Sequence, residues 1–450
     1  VLLSDKLLSN SLMDGITVAP WIAPSDWINI DNCADGNINL LVADTTMATY
    51  AFICTTSSGQ YHIDWGDGTS GNFDSGATAQ HTYTVGAGQV CSRGYTTFKI
   101  VISPVSGNLT SFAVTSHSLA TQNQAHHILS CVFNAINITT LANAFYKATS
   151  PIVSCGLLES FNVKELLLSC LTTSYMFFNC YSLQSVNISS MESVTTTSYM
   201  FFSCHKLQNI DISSMVSVIT VSSMFSNCYS LQNIDISSMV SVTNASSMFS
   251  NCRNLQSVNI SSMVSVIDTS SMFSNCYNLL NIDISSMVSV TNASSMFNSC
   301  YNLLNIDISS MVSVTNASSM FNSCYNLSSL ITTNFALNSS SIIATTMFDY
   351  CEQLTSINLS NAKVSKLGLK GTSGKLNKVA TLIFHASSTF SDATAPQLDL
   401  QYTALTAAQL DTIFTSLPTV TSKTVNITGS TGAATCTRTI ATGKGWTVTG

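Results

Sequence analysis

The chain reads as a mainly β protein, an N-terminal β-sandwich followed by a solenoid with 24-residue coils, and three observations predict this. Cysteine returns every 24 residues at Cys180, Cys204, Cys228, Cys252, Cys276, Cys300 and Cys324, each time on a near-copy of one segment. Residues 277–300 and 301–324 are identical letter for letter, as duplicated building blocks are. Ahead of the repeats, residues 40–103 hold short β-branched and aromatic runs separated by glycine-bearing turns, the pattern of antiparallel strands.

Composition narrows the function classes. Only 8% of the 450 residues are charged, against about 25% in ordinary globular proteins, and Ser, Thr and Asn fill the polar share. The formal net charge of -7 comes with no basic run, so a nucleic-acid partner is not expected. No stretch of about 20 uninterrupted apolar residues occurs, so no membrane insertion is expected. Fifteen cysteines, an odd number, rule out a fully paired framework and point to buried free thiols. The chain opens on Val1 rather than Met, as it would if a signal or pro-segment had been removed or if the start lay further upstream, and localisation is not read from that end.

Residues 1–39 read as an extended arm. Pro20 and Pro24 interrupt any helix there, leaving Trp21 and Trp27 as candidate docking residues for other structural proteins, with packing on the next domain as the alternative. Residues 40–106 form the expected sandwich. Within it Asp64-Trp65-Gly66-Asp67-Gly68-Thr69 puts Asp-Gly where a tight hairpin needs positive φ, and His81-Thr82-Tyr83 follows. The turn accounts for Asp64 and Asp67, and with Asp74 they fall short of the six to eight oxygens calcium takes; no metal site is expected. These two motifs resemble the PKD (polycystic-kidney-disease) Ig-like module, which implies a spacer or binding domain of extracellular and virion proteins.

Residues 107–175 read as degenerate repeats that cap the stack. Ala144-Phe145 stands where later copies have Met-Phe, Cys155 follows Cys131 by 24 residues, and His126-His127 lacks a third metal ligand. Residues 176–360 are the regular solenoid. One unit has Leu231, Ile234, Ile236, Met239, Val242, Met248, Phe249 and Cys252 as its apolar positions, and Leu-x-x-Ile-x-Ile predicts a short parallel strand per coil, with Asp235 outward. A single copy buries too little to fold alone, so eight or nine coils stack, each covering the next. The cysteines then serve as core filler, since stacked Cβ atoms pointing the same way do not suit disulfide geometry. Residues 361–450 read as final repeats and a cap, with a helix near 406–416 stopped by Pro418, and two β segments with Trp446 over the open core.

The unit also resembles the BspA-like leucine-rich repeats of bacterial surface proteins. The match runs through Leu231, Ile234-Asp235-Ile236-Ser237, Val242, Met248-Phe249 and Cys252. The resemblance implies a leucine-rich-repeat solenoid that acts in adhesion, with no defined ligand.

Two outward columns are the candidate ligand-facing sites. One contains Asp211, Asp235, Asp283 and Asp307, interspersed with Asn187 and Asn259; a plain exposed ladder is the alternative to cation gathering. The other follows each cysteine as Tyr181, Tyr229, Tyr277, Tyr301 and Tyr325, interrupted by His205 and Arg253. Such rings either meet a glycan or protein partner or stack between coils. No nucleophile elbow, phosphate-binding loop, HExxH or CxxC appears, so neither catalytic residues nor a cofactor are expected and the chain reads as a non-enzyme. The arrangement of arm, PKD-like module, repeats and GAATCTRTIATGKGWTV ending resembles virion proteins of tailed phages. That implies a virion-surface appendage, fibre or capsid-decoration protein contacting a host glycan or protein. A bacterial cell-surface or extracellular BspA-like adhesin is the alternative.

Overall fold

The computed structural model describes residues 22–450 apart from 45–48, 85–87, 117–123, 149–151, 165–166 and 168. The sandwich comes first. In chain order the strands here are β1 (Ile38–Asp44), β2 (Thr49–Thr56), β3 (Gln60–Asp64), β4 (Ser70–Asp74), β5 (Thr78–Thr82), β6 (Gln89–Val90), β7 (Thr96–Pro104), β8 (Leu109–Val114), β9 (Gln124–Ala125) and β10 (Ile128–Phe133), of which β9 lies outside the sandwich and pairs in parallel with Val153–Ser154. One layer is β5-β2-β8, all antiparallel. The facing layer runs β4-β3-β7-β1-β10 and is also antiparallel.

The WGDGT turn and the HxY strand are one lock. Asp67 accepts from the Thr69 amide at 3.0 Å and pairs with His81 Nε2 at 2.8 Å. The His81 ring stacks on Trp65, with centroids 5.0 Å apart, and meets Tyr83 edge-on at 4.6 Å. The Tyr83 hydroxyl donates to the Trp65 carbonyl at 2.6 Å. Gly66 has φ of 80°, and a Cβ there would lie 2.2 Å from the Lys99 carbonyl oxygen, so the turn admits only glycine.

The sandwich and the repeats are continuous. The larger layer extends from β10 to Ser160–Val163 and then to Ser185–Asn187, and both of these pairings are parallel. Strands β8 and β10, beyond residue 106, belong to the sandwich layers. Every residue of β10 is buried because both of its faces are covered. Ile128, Cys131 and Phe133 join the core that continues into the solenoid, while Leu129 and Val132 pack with Trp27, Ile30 and Cys33.

A β-solenoid of about 11 turns runs from residue 160 onward, more than the eight or nine coils expected, because coils precede and follow the regular copies. The Met-Phe segment is the wall that holds it together. Val221, Ser223, Phe225 and Asn227 each donate to the next coil, at Asn244, Ser246, Met248 and Ser250, and the pattern repeats coil after coil. A column of parallel bridges beside this wall runs unbroken from Thr140 to Ile343 and begins at Ser111 of β8.

The predicted strand is the weaker edge. Three-residue strands pair at 233–235 with 257–259 and at 305–307 with 329–331, but no strand forms at 209–211 or 281–283. Both steps where Asp faces Asp, 211 to 235 and 283 to 307, thus lack ladder pairing. The steps where Asn faces Asp, 187 to 211 and 259 to 283, lack it as well.

Inside, a phenylalanine spine runs through Phe177, Phe201, Phe225, Phe249, Phe273, Phe297 and Phe321, all fully buried. Successive centroids lie 5.3 to 5.6 Å apart with planes within 16°. The cysteines beside it are more than filler. Cys228 Sγ donates to the Phe201 carbonyl at 3.1 Å and Cys252 Sγ to that of Phe225 at 3.1 Å, a clip repeated down to Cys351. At the far end, helix α1 (Ala407–Ser416) is capped by a Thr406–Gln409 box. Lys423–Asn426 pairs in parallel with Trp446–Thr449, and buried Trp446 donates to the Pro418 carbonyl at 2.9 Å.

Candidate functional site

The tyrosine column is a continuous stack. Centroids lie 4.8 Å apart for Tyr181–His205, 4.5 Å for His205–Tyr229, 4.6 Å for Tyr277–Tyr301 and 5.1 Å for Tyr301–Tyr325. Arg253 does not break it. Its guanidinium carbon sits 4.9 Å from the Tyr229 ring and 5.7 Å from the Tyr277 ring, a cationic plate between two aromatic ones. Because the rings cover each other's faces, the column presents edges and phenol hydroxyls outward. Tyr181 and Tyr325 are the most open, at 42% and 38% exposure. Burial lowers the basicity of His205 and raises the Tyr181 phenol pKa.

The acidic column is exposed, and each member closes a turn. Asp211, Asp235, Asp283 and Asp307 accept from the amides of Ser213, Ser237, Ser285 and Ser309 at 2.8 to 2.9 Å. Asn187 and Asn259 make the same bond to Ser189 and Ser261 at 3.2 Å. The turn needs one side-chain oxygen acceptor, which Asp and Asn both supply; this explains their interchange without a ligand. Among the described residues no group of three or more His, Cys, Asp or Glu is placed to hold a metal ion, and no helix is long and apolar enough to cross a membrane.

Trp21 lies outside the described residues. Trp27 is only 8% exposed, so the expectation of an open docking aromatic does not hold for it. It packs on the outer face of β10 with Ile30 and Val132, beneath the Arg93 guanidinium at 5.2 Å. Arg93 in turn pairs with buried Glu159, so residues around Trp27, the sandwich and the first coils form one clasp.

The reading of columns missed a second group of rings. Tyr146, Tyr175, Phe178, Tyr199 and Phe202 cluster on the outer side of the Met-Phe wall, with Phe178–Phe202 at 4.7 Å and Tyr175–Tyr199 at 4.8 Å. Their signal was present as departures from the repeat: later copies have Ser or Asn at the same places.

These features define a leucine-rich-repeat solenoid fused to a β-sandwich. Within that class, residues 153–279 and 245–371 match the BspA type leucine-rich repeat region, in 6 copies. A search of curated proteins found no match. Among solved structures, the "TLR13-ssRNA13 complex" aligns at 11% identity and a TM-score of 0.19, over 68% of this chain and 50% of that one. The "Plant peptide hormone receptor RGFR1 in complex with RGF2" aligns at 9% identity and a TM-score of 0.14, over 63% and 67%. The chain thus spans half the length of the first of these. Likenesses this loose carry no functional argument.

Proposed function

We propose that the protein is a non-enzymatic structural and binding protein displayed on a surface, an appendage, fibre or capsid-decoration protein of a phage virion that contacts a host glycan or protein. The observation that carries the binding role is the repeat region of BspA type, which aligns the same side chains into long outward columns on a stiff support. The tyrosine column meets the partner through its phenol edges, and Tyr181 and Tyr325 are its most accessible members. The PKD-like sandwich positions the solenoid, a role supported by the Trp65, Asp67, His81 and Tyr83 lock. Virion placement rests on the resemblance of the whole arrangement. A bacterial cell-surface adhesin is the second reading, favoured by the repeat type itself.

Binding of the full chain to host cells, compared with a Tyr277→Ala, Tyr301→Ala, Tyr325→Ala variant of verified fold, tests the column. Reduced binding by the variant is expected, and equal binding removes the column from the account. Mass spectrometry of purified phage particles and of bacterial envelopes decides between the two placements.

A further inference from the structure

The solenoid sorts its charges by edge. Residues 176–324 contain three basic side chains, His205, Lys206 and Arg253, and all three stand in the first or second place after a cysteine. The carboxylates stand elsewhere: Asp211, Asp235, Asp283 and Asp307 in the acidic column, and Glu192 and Asp268 outside both columns. Lys206 and Arg253 are exposed, and neither side chain has a hydrogen-bond or ion-pair partner among the described residues. Tyr229 and Tyr277 cover the two faces of the Arg253 guanidinium at 4.9 and 5.7 Å. Its N–H donors are thus left at the rim of a plate held in place, the arrangement that takes a carboxylate through two parallel hydrogen bonds. In the coil of Arg253 the acidic column carries Asn259 rather than Asp, so that member of the column does not repel such a group.

One coil further on, the same edge turns apolar. Gln184, Gln208, Gln232 and Gln256 give way to Leu280 and Leu304, which are 48% and 40% exposed, and Ile331 is open beyond them. We infer that this edge docks a protein surface on which carboxylates flank an apolar side chain. Arg253, with Lys206 two coils away, takes the carboxylates, and Leu280 and Leu304 take the apolar group. The inference rests on the tyrosine column being a contact surface and names the partner that surface fits.

A polysaccharide fits less well. Tyr229 is covered on its two faces by His205 and Arg253, Tyr277 by Arg253 and Tyr301, and Tyr301 by Tyr277 and Tyr325, so these rings offer a sugar no flat face. Exposed leucines have nothing to give to hydroxyl groups, whereas tyrosine and arginine beside an apolar patch are the groups that anchor protein interfaces. A basic protein surface would meet Lys206 and Arg253 with like charge.

The test measures binding of the full chain to host cells that are intact, shaved with proteinase K, oxidised with periodate to damage glycans, or amidated at their carboxyl groups with carbodiimide and ethanolamine. Two variants take residues that other copies already carry, Arg253→Tyr, and Leu280→Gln with Leu304→Gln. Their folds are therefore expected to persist, which thermal unfolding checks. Wild-type is expected to bind intact and periodate-treated cells and to lose binding after shaving or amidation. Each variant is expected to bind intact cells about tenfold or more weakly, and added salt should weaken wild-type more than Arg253→Tyr. Binding that survives shaving or amidation, binding lost after periodate, or equal binding by either variant overturns the inference while leaving the contact reading in place, since wild-type still binds. Wild-type that does not bind intact cells overturns both.

Discussion

Replacing Phe273 by leucine cuts the spine at its centre. Phe273 is fully buried and stacks on Phe249 at 5.6 Å and Phe297 at 5.5 Å, with planes within 9°. Leucine keeps most of the apolar area and loses both ring contacts, each worth about 0.5–1.5 kcal/mol. The expected destabilisation is therefore about 1–3 kcal/mol, while Phe273→Ala should reach about 3–5 kcal/mol. In a solenoid each coil touches only its neighbours, so the loss should be local. Native-state hydrogen exchange reads this directly: wall amides of the coils holding Cys252, Cys276 and Cys300 should exchange faster, and those of the sandwich should not. A leucine variant within about 0.5 kcal/mol of wild-type, inside the scatter of surface substitutions, would refute the stacking argument. So would an exchange increase spread evenly over the chain.

Thiol titration in denaturant without reductant should find all 15 cysteines free, whereas the native chain should react slowly, because burial raises the column thiols' pKa and thiolate is the reactive form. A majority of oxidised cysteines would contradict the S–H to carbonyl clips. Asp349 gives a pH effect. Burial, opposed by the Lys370 amide and aided by Asp399, raises its carboxyl pKa from 3.8 to about 6. A folded-state pKa above the unfolded value means stability is greatest at low pH and declines as pH rises from 3.8 through about 6. The cost above that window is roughly 3 kcal/mol. Asp349→Asn, which keeps the oxygen that accepts from Lys370, should raise the melting temperature at pH 7 and flatten its decline between pH 4 and 7. An unchanged melting profile would count against the buried carboxylate.

The burial pattern of the repeats was plain in the sequence because duplication repeats each apolar position. Which segment joins the coils was not. Leu-x-x-Ile-x-Ile advertises a strand, yet the hydrogen bonds concentrate in the Met-Phe wall, where left-handed residues such as Ser223 and Asn227 allow a chain of tight turns. Glycine would have marked those turns; serine and asparagine fill them without punctuation. The fusion of sandwich and solenoid escaped notice because β10 looks like any strand, and only its second, parallel neighbour shows that it starts the stack. Of the candidate columns, the tyrosines were legible by position but not by orientation, since edge-out packing depends on what stacks against each face. The acidic residues looked like chemistry because an Asx turn leaves the carboxylate visible in sequence and hides its amide partner.

The unbroken bridge column from Ser111 to Ile343 means that each coil meets its predecessor and its successor through the same surface. Such a structure has a built-in ruler. Gaining or losing one 24-residue copy would change the distance between the sandwich and the C-terminal cap by one step of about 4.8 Å, while both ends and every remaining joint stay as they were. Reach can thus be adjusted by unequal exchange between identical stretches such as 277–300 and 301–324, without redesigning either end.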